Sequence, residues 1–285
     1  MRFRTTLVDI NTLVRIVQTI QKVSPRCIIR LEPDDVRFIC TAEADGVQIW
    51  SQLKVSSFFG EYRVESNFNN QINFEVATDM LLRALKSASN AVDVLMRLAK
   101  RGKDPLLSFA IANASHSGSR LEIVQDVLIQ VYRPAESMRI KEPLCPEPDV
   151  HIFLPKLYKV RTVAERMKAV SSHIYISANR SEEFIMSVAQ TEINMETTWR
   201  KCGHPSINDS QAVARSANAD PREHFRVKLD AKCLLKFLGS HIIESRTIAC
   251  ICAGHCAIFY VYVGDTKNTS GVMTFFLPGA AEDDD

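Results

Sequence analysis

The hydrophobic positions along the chain follow two periods, one of two residues and one of three to four. Residues 3–8 and 72–76 alternate apolar with other side chains, which is typical of half-buried strands. Four segments that each follow such a strand have their apolar side chains on one helical face: 9–23, 78–91, 155–170 and 230–242. The pattern predicts four amphipathic helices set between short strands, and therefore an α+β fold.

The predicted helices form two related pairs. LLRAL at 81–85 returns as LLKFL at 234–238, and the apolar spacing of 9–23 returns in 155–170. Repetition of this kind indicates that the two halves share a supersecondary unit of a strand, a helix and further strands. The predicted boundaries are 1–132 for an N-terminal domain, 133–149 for a Pro-rich linker, 150–280 for a C-terminal domain with a mobile polar insertion at 201–223, and 281–285 for an acidic tail.

Composition supports well-packed domains without pointing to a partner. Of the 285 residues 46% are hydrophobic, and the formal net charge is only +2. The N-terminus holds no apolar run long enough for a secretory signal, and no stretch approaches the length of a membrane span. We therefore expect an intracellular protein whose eight cysteines are reduced thiols.

The sequence lacks recognisable catalytic motifs. It has no Gly-rich phosphate loop followed by Lys and Ser or Thr, no dinucleotide-binding fingerprint and no His-Glu-x-x-His. Cys250, Cys252, His255 and Cys256 resemble a zinc site, but the first two alternate along a predicted strand and are expected to be buried core thiols. We predict no enzymatic activity, no cofactor and no metal.

The polar faces of the four predicted helices are basic, with Asp79 and Glu165 the main acidic exceptions. Charge on the outer face of a single helix is ordinary, but four such faces in a repeated unit indicate a common positive surface. A surface of this kind binds phosphate groups without reading the base sequence. The candidate DNA-binding residues are Arg15, Lys22, Arg83, Lys86, Lys159, Arg166, Lys232 and Lys236.

Four stretches carry a resemblance to a known family: MRFR at 1–4, DGVQIW at 45–50, LLRALK at 81–86 and, most specific, KEPLCPEPDVHIFLP at 141–155. On these residues the chain resembles the sliding clamps over nearly its whole length, and among them the subunits of the heterotrimeric checkpoint (nine-one-one) clamp. The resemblance implies the DNA-clamp fold of PCNA, with two similar domains, each of two β-α-β-β-β units, and with helices that line a ring channel.

The resemblance also implies a function and a set of partners. The chain would be a non-catalytic subunit of a heterotrimeric ring that encircles duplex DNA at damage sites and recruits checkpoint and repair proteins. Its partners would be two related, non-identical clamp subunits in equal number, an ATP-driven clamp loader, repair enzymes and checkpoint-kinase activators. Sequence-independent contact with duplex DNA, a nuclear localisation and no membrane association complete the expectation.

The resemblance suggests two further sites. Clamps of this family bind partner peptides between the linker and the C-terminal strand, and the corresponding pocket residues here would be Val47, Ile140, Leu144, Phe276 and Pro278. The alternative is that these are ordinary hydrophobic residues covered by the linker. Ser210-Gln211 resembles a target of damage-response kinases, although such a dipeptide also arises by chance.

Three alternative functions stay open from sequence. A homotrimeric replication processivity clamp would have the same fold, but those clamps are strongly acidic and this chain carries +2. A thiol- or zinc-dependent enzyme would use the cysteines and the histidine at 250–256. A protein-interaction scaffold would show no salt-dependent DNA binding.

Overall fold

The computed structural model describes residues 1–41, 46–114, 120–205, 220–243, 246–265 and 268–281. Ser210, the central part of the 201–223 insertion and the last four residues of the acidic tail lie outside these ranges. The chain divides into two compact units. The first comprises 1–41, 49–142 and 263–272, and the second comprises 42–48, 143–262 and 273–285.

The first unit is built around a mainly antiparallel sheet. Its strands are β1 (Arg2–Leu7), β2 (Arg26–Leu31), β3 (Asp35–Cys40), β4 (Gln48–Lys54), β5 (Phe59–Glu65), β6 (Ile72–Ala77), β7 (Asp93–Arg101), β8 (Asp104–Ala114) and β9 (Arg120–Val131). They are hydrogen-bonded in the order β4-β3-β2-β6-β9-β8-β7-β1-β5, and Gln48 at the start of β4 belongs to the second unit. The helices are α1 (Ile10–Val23), α2 (Val55–Phe58), α3 (Thr78–Ala88) and α4 (Pro134–Ser137).

The second unit repeats the strand–helix–strands arrangement. Its strands are β10 (Val150–Phe153), β11 (His173–Ala178), β12 (Phe184–Ala189), β13 (Asn194–Trp199), β14 (Phe225–Asp230), β15 (Thr247–Cys252), β16 (Cys256–Asp265) and β17 (Asn268–Pro278), of which the end of β16 and the start of β17 belong to the first unit. The hydrogen-bonded orders are β10-β15-β16-β17 and β13-β12-β11-β14. The helices are α5 (Leu157–Lys168) and α6 (Ala231–Leu238), and α6 continues as a 3₁₀ helix over Gly239–Ile243.

The four predicted amphipathic helices are confirmed as α1, α3, α5 and α6, with shorter bounds. Asp9 caps α1, because its Oδ1 accepts a hydrogen bond of 3.0 Å from the backbone N–H of Thr12. Asp230 caps α6 in the same way, through the N–H of Cys233 at 2.8 Å. Helix α5 begins at Leu157, two residues after Pro155, which the sequence pattern predicted as its first residue.

The repeated LLRAL and LLKFL segments fill corresponding places in the two units. Leu81 and Leu85 of α3 are 2% and 3% exposed, and Leu234 and Leu238 of α6 are 2% and 0% exposed. Helix α3 packs against α1 in the first unit, and α6 packs against α5 in the second. Because each helix turns its apolar face inward, its cations are left on the outer face.

The linker differs in one respect from the extended segment expected from its prolines. It begins with the helical turn α4, in which the Glu136 carboxylate accepts a hydrogen bond of 2.8 Å from the N–H of Arg133. Residues 140–148 then contain neither helix nor strand. Among the helices in the described ranges, none is long and apolar enough to cross a membrane.

Candidate DNA-binding helices and peptide pocket

The eight predicted DNA-binding residues all lie on the four amphipathic helices. Seven of them are exposed, and Arg15 is partly buried. Since α1 packs on α3 and α5 packs on α6, each unit holds a pair of neighbouring basic helices. The cations are Arg15, Lys22, Arg83 and Lys86 on the first pair, and Lys159, Arg166, Lys232 and Lys236 on the second.

The acidic residues on these helices do not neutralise the basic faces. Asp79 lies 3.8 Å from the Arg83 guanidinium, one helical turn away; the Arg83 side chain is largely exposed and the Asp79 side chain is about half-exposed. Glu165 pairs with Arg161 at 2.8 Å, and neither of the cations predicted on α5 takes part in that ion pair. Exposed pairs at this spacing are worth only about 0.3–0.5 kcal/mol, so a phosphate group can displace the carboxylate from Arg83.

A cleft of about 390 Å³ lies within the second unit, beside the linker. Its walls come from linker residues 143–146, from 276–278 at the end of β17, from His255 and Cys256 of the β15–β16 hairpin, and from Gly46 and Gln48. Leu144 is fully exposed at the rim, and Phe276 is 8% exposed. The lining is therefore mostly apolar, with the exposed leucine as an anchor at the opening.

Backbone hydrogen bonds fix the walls of this cleft. The linker is held where the N–H of Asp149 donates to the Ile251 carbonyl at 2.9 Å, while the Asp149 carboxylate accepts from the N–H of Ala253 at 2.8 Å. The end of β17 is held by the N–H of Gly279, which donates to the His255 carbonyl at 2.7 Å. A Cβ at Gly279 would lie 2.6 Å from that carbonyl oxygen, so only glycine permits the approach.

The predicted pocket residues are only partly brought together. Leu144, Phe276 and Pro278 line the cleft. Val47 is 4% exposed and lies between two lining residues without lining the cleft itself, and Ile140 belongs to the first unit. Cys145, His255 and Cys256 also line the cleft and were not among the predicted pocket residues. The Cys and His spacing at 250–256 was a signal for the last two, but the sequence analysis interpreted its cysteines as core thiols.

Three thiols meet beside the cleft. Cys145 and Cys256 both line it, Cys256 lies directly opposite Cys252 across the β15–β16 hairpin, and the Cys252 thiol donates to the Pro146 carbonyl at 3.4 Å. The hydrogen bond from Cys256 lowers the pKa of Cys252, whereas that bond, followed by burial, raises the pKa of Cys256 well above its ordinary value. Burial raises the pKa of Cys250, two residues earlier on β15, to about 12.

The described residues offer no metal centre. No group of three or more His, Cys, Asp or Glu side chains in these ranges has an arrangement that could hold a metal ion. Cys250 is a core residue, 1% exposed, and its raised pKa disfavours the thiolate form that zinc needs. The geometry therefore does not favour a zinc-dependent reaction at 250–256.

Comparison with known protein families shows which family this chain belongs to. A family model described as Hus1-like protein matches residues 1–281. The chain belongs to the Hus1-like family. It is 36% identical to Checkpoint protein hus1 of Schizosaccharomyces pombe, over 97% of this chain and 98% of that protein. It is 32% identical to Checkpoint protein HUS1 of Homo sapiens, over 98% of this chain and 99% of that protein.

Solved structures identify the fold. The PCNA of Entamoeba histolytica superposes with a TM-score of 0.70 at 12% identity and covers 98% of each chain. PCNA from Thermococcus kodakaraensis gives a TM-score of 0.70 at 14% identity, over 97% of this chain and 99% of that one. The predicted α+β, PCNA-like clamp fold is confirmed.

Hus1 membership and the clamp fold together make the chain a non-catalytic subunit of a multi-subunit checkpoint clamp, with a role in DNA-damage signalling and repair. The resemblance drawn from the sequence is thereby confirmed. A homotrimeric replication clamp and a thiol- or zinc-dependent enzyme are not favoured, because the nearly full-length relatives are checkpoint proteins.

Proposed function

We propose that this Hus1-like chain is one of three related, non-identical subunits, one copy of each, in a ring that encircles duplex DNA at damage sites. The observation that carries the proposal is that all four amphipathic helices have exposed basic faces, two helices in each unit. Lysine and arginine side chains on these exposed faces suit sequence-independent contact with duplex phosphates. A protein that must slide on DNA requires this kind of contact.

Each unit has a strand edge suited to a neighbouring subunit. Residues 120–128 of β9 pair with β8, whereas β9 pairs with β6 only over 129–131, so the first stretch has one partner strand among the described residues. Four exposed apolar side chains lie along it: Leu121, Ile123, Val124 and Leu128. In the second unit β13 pairs only with β12 within the described ranges. Two unlike edges on one chain support head-to-tail closure of a ring.

The first prediction concerns the composition of that ring. Native mass spectrometry of the complex captured with this chain is expected to give one copy of this chain and one copy each of two different clamp-like chains. The complex should be enriched in nuclear over cytosolic extract. A homotrimer would instead support a replicative clamp, and a cytosolic complex without clamp-like chains would support a scaffold.

We further propose that the cleft beside the linker binds peptides of repair enzymes or checkpoint-kinase activators. Its mostly apolar lining and the fully exposed Leu144 at its rim support this role, because covering them with an apolar partner side chain removes apolar surface from water. The peptide would anchor an apolar side chain between the linker and the end of β17.

The second prediction tests this pocket. Leu144→Asp is expected to reduce the amount of repair enzyme or kinase activator recovered with the ring at least tenfold, since desolvating a polar group at an apolar contact costs about 1–3 kcal/mol. Met138→Asp is the matched control, because Met138 is an exposed apolar linker residue that does not line the cleft. Equal losses in both variants would argue against the cleft as the site.

A further inference from the structure

The three thiols beside the cleft come from separate parts of the chain. Cys145 lies in the linker, Cys252 ends β15 and Cys256 begins β16. The last two are directly opposite each other across the hairpin. The Cys252 thiol donates to the Pro146 carbonyl at 3.4 Å, and Pro146 follows Cys145 in the linker, so the linker and the hairpin are in direct contact at this point.

Two of these thiols face the cleft. Cys145 and Cys256 are half-buried and line it, whereas Cys252 is 1% exposed. The pair Cys27 and Cys40 in the first unit provides a contrast, because both are buried and burial raises the pKa of Cys40 to about 12. A small oxidant in solution can therefore reach Cys145 and Cys256 through the cleft, but it cannot reach the buried pair.

We propose that Cys145 and Cys256 are a peroxide-sensitive pair that forms a disulfide and ties the linker to the β15–β16 hairpin. Forming the bond requires the two sulfur atoms to approach to about 2.05 Å. The linker has neither helix nor strand from 140 to 148, so Cys145 can approach Cys256 without breaking a regular element. Cys252 is a less accessible competitor, since its thiol is covered and hydrogen-bonded to the linker.

The reaction consumes one hydrogen peroxide for each disulfide. The Cys145 thiol first loses its proton, and the resulting thiolate attacks one peroxide oxygen. The O–O bond breaks, the sulfur becomes a sulfenic acid, and the hydroxide that leaves takes up the released proton to form water. The Cys256 sulfur then attacks the Cys145 sulfur. The S–S bond forms as the S–O bond breaks, and the hydroxyl leaves with the Cys256 proton as a second water. The two thiols lose two electrons and two protons in total.

The disulfide would change the cleft itself. Leu144 precedes Cys145 and is fully exposed at the rim, so drawing Cys145 towards Cys256 moves the anchor residue towards the opposite wall and narrows the opening. Oxidation would then weaken peptide binding, a consequence that rests on the proposed peptide site. Formation of the disulfide does not depend on that site.

The test uses the chain in its purified complex. After treatment with graded hydrogen peroxide, remaining thiols are blocked with an alkylating reagent and the peptides are mapped by mass spectrometry. The expected product is a Cys145–Cys256 linked peptide, with a mass lower by two hydrogen atoms than the two reduced peptides. It should disappear in Cys145→Ser, persist in Cys252→Ser and persist in Cys233→Ser, a half-buried thiol elsewhere in the second unit. A dominant Cys252–Cys256 link, or overoxidised Cys145 without any link, would overturn the proposal.

A second readout separates the disulfide from its consequence. Recovery of repair enzymes or kinase activators from nuclear extract is compared for the reduced, oxidised and re-reduced complex. A loss of about tenfold on oxidation that reverses on reduction, and that is absent in Cys145→Ser, is the expected result. If the disulfide forms and recovery is unchanged, the proposed effect of oxidation on the cleft is wrong, whereas the proposed disulfide itself is supported. If Leu144→Asp also leaves recovery unchanged, the peptide site itself fails.

Discussion

Replacing four exposed helix cations with alanine, at Lys86, Arg166, Lys232 and Lys236, is expected to weaken binding of the complex to a short duplex by about two orders of magnitude at 0.15 M salt. For each phosphate contact that is lost, about one fewer counterion is released from the DNA on binding. The slope of log K against log salt should therefore become shallower by about three to four. Fluorescence anisotropy at several salt concentrations measures both quantities. Alanine keeps the helices intact because it has the highest helix propensity.

The matched control removes four exposed cations outside the basic helices. Lys54, Arg63, Arg97 and Lys103 lie on strands or turns of the same chain and are also exposed. Their replacement by alanine changes the net charge by the same amount, and we expect it to leave the salt slope almost unchanged. An equal effect in both variants would show that overall charge, rather than the helix faces, governs binding. No effect in either would contradict the proposed DNA contact.

Phe237→Ala is expected to lower the free energy of unfolding by about 3–5 kcal/mol. Phe237 is 0% exposed, its ring stacks on that of Phe259 with centroids 4.0 Å apart, and it meets Phe275 edge-on at 5.2 Å. The substitution removes both contacts and leaves a cavity among α6, β16 and β17. The rings around it cannot close that cavity completely, because packed cores relax only in part.

Urea denaturation followed by circular dichroism measures this loss. Tyr158→Ala is the control, since the Tyr158 side chain is 52% exposed on α5 and its removal should change stability by no more than about 0.5 kcal/mol. A loss below about 1 kcal/mol for Phe237→Ala would mean that the aromatic cluster does not form as described.

The repeated helix motif illustrates how far local sequence determines structure. The leucines of LLRAL and LLKFL could be assigned to buried faces from their spacing alone, and all four compared positions are buried. The size of the side chain that fits at the fourth position of the motif could not be predicted from this spacing. Ala84 and Phe237 occupy equivalent places in the motif and are both buried, yet only the second sits in a ring cluster. Its partners lie on strands that follow in the sequence, so packing across elements decides which volume fits.

The cleft was less predictable than the helices. The resemblance proposed Leu144, Phe276 and Pro278, and these residues do line it, but it also proposed Val47 and Ile140, which do not. Side-chain alternation along a short strand fixes which residues share a face, whereas an irregular linker has no period that fixes which of its residues meets the hairpin. The contact between Pro146 and Cys252 joins residues 106 positions apart and has no local signal.

The sequence by itself determined the four amphipathic helices, the repetition of the strand–helix–strands unit and the family. These depend on the period of the apolar positions and on short local motifs, and both are properties of the sequence alone. Tertiary structure alone decided which cysteines share one site. Cys250 and Cys252 alternate on one strand, yet the first is a core thiol and the second meets Cys256 and the linker. The physical reason is that burial and hydrogen bonding at a sulfur atom depend on neighbours brought together by the fold, and spacing along the chain does not specify them.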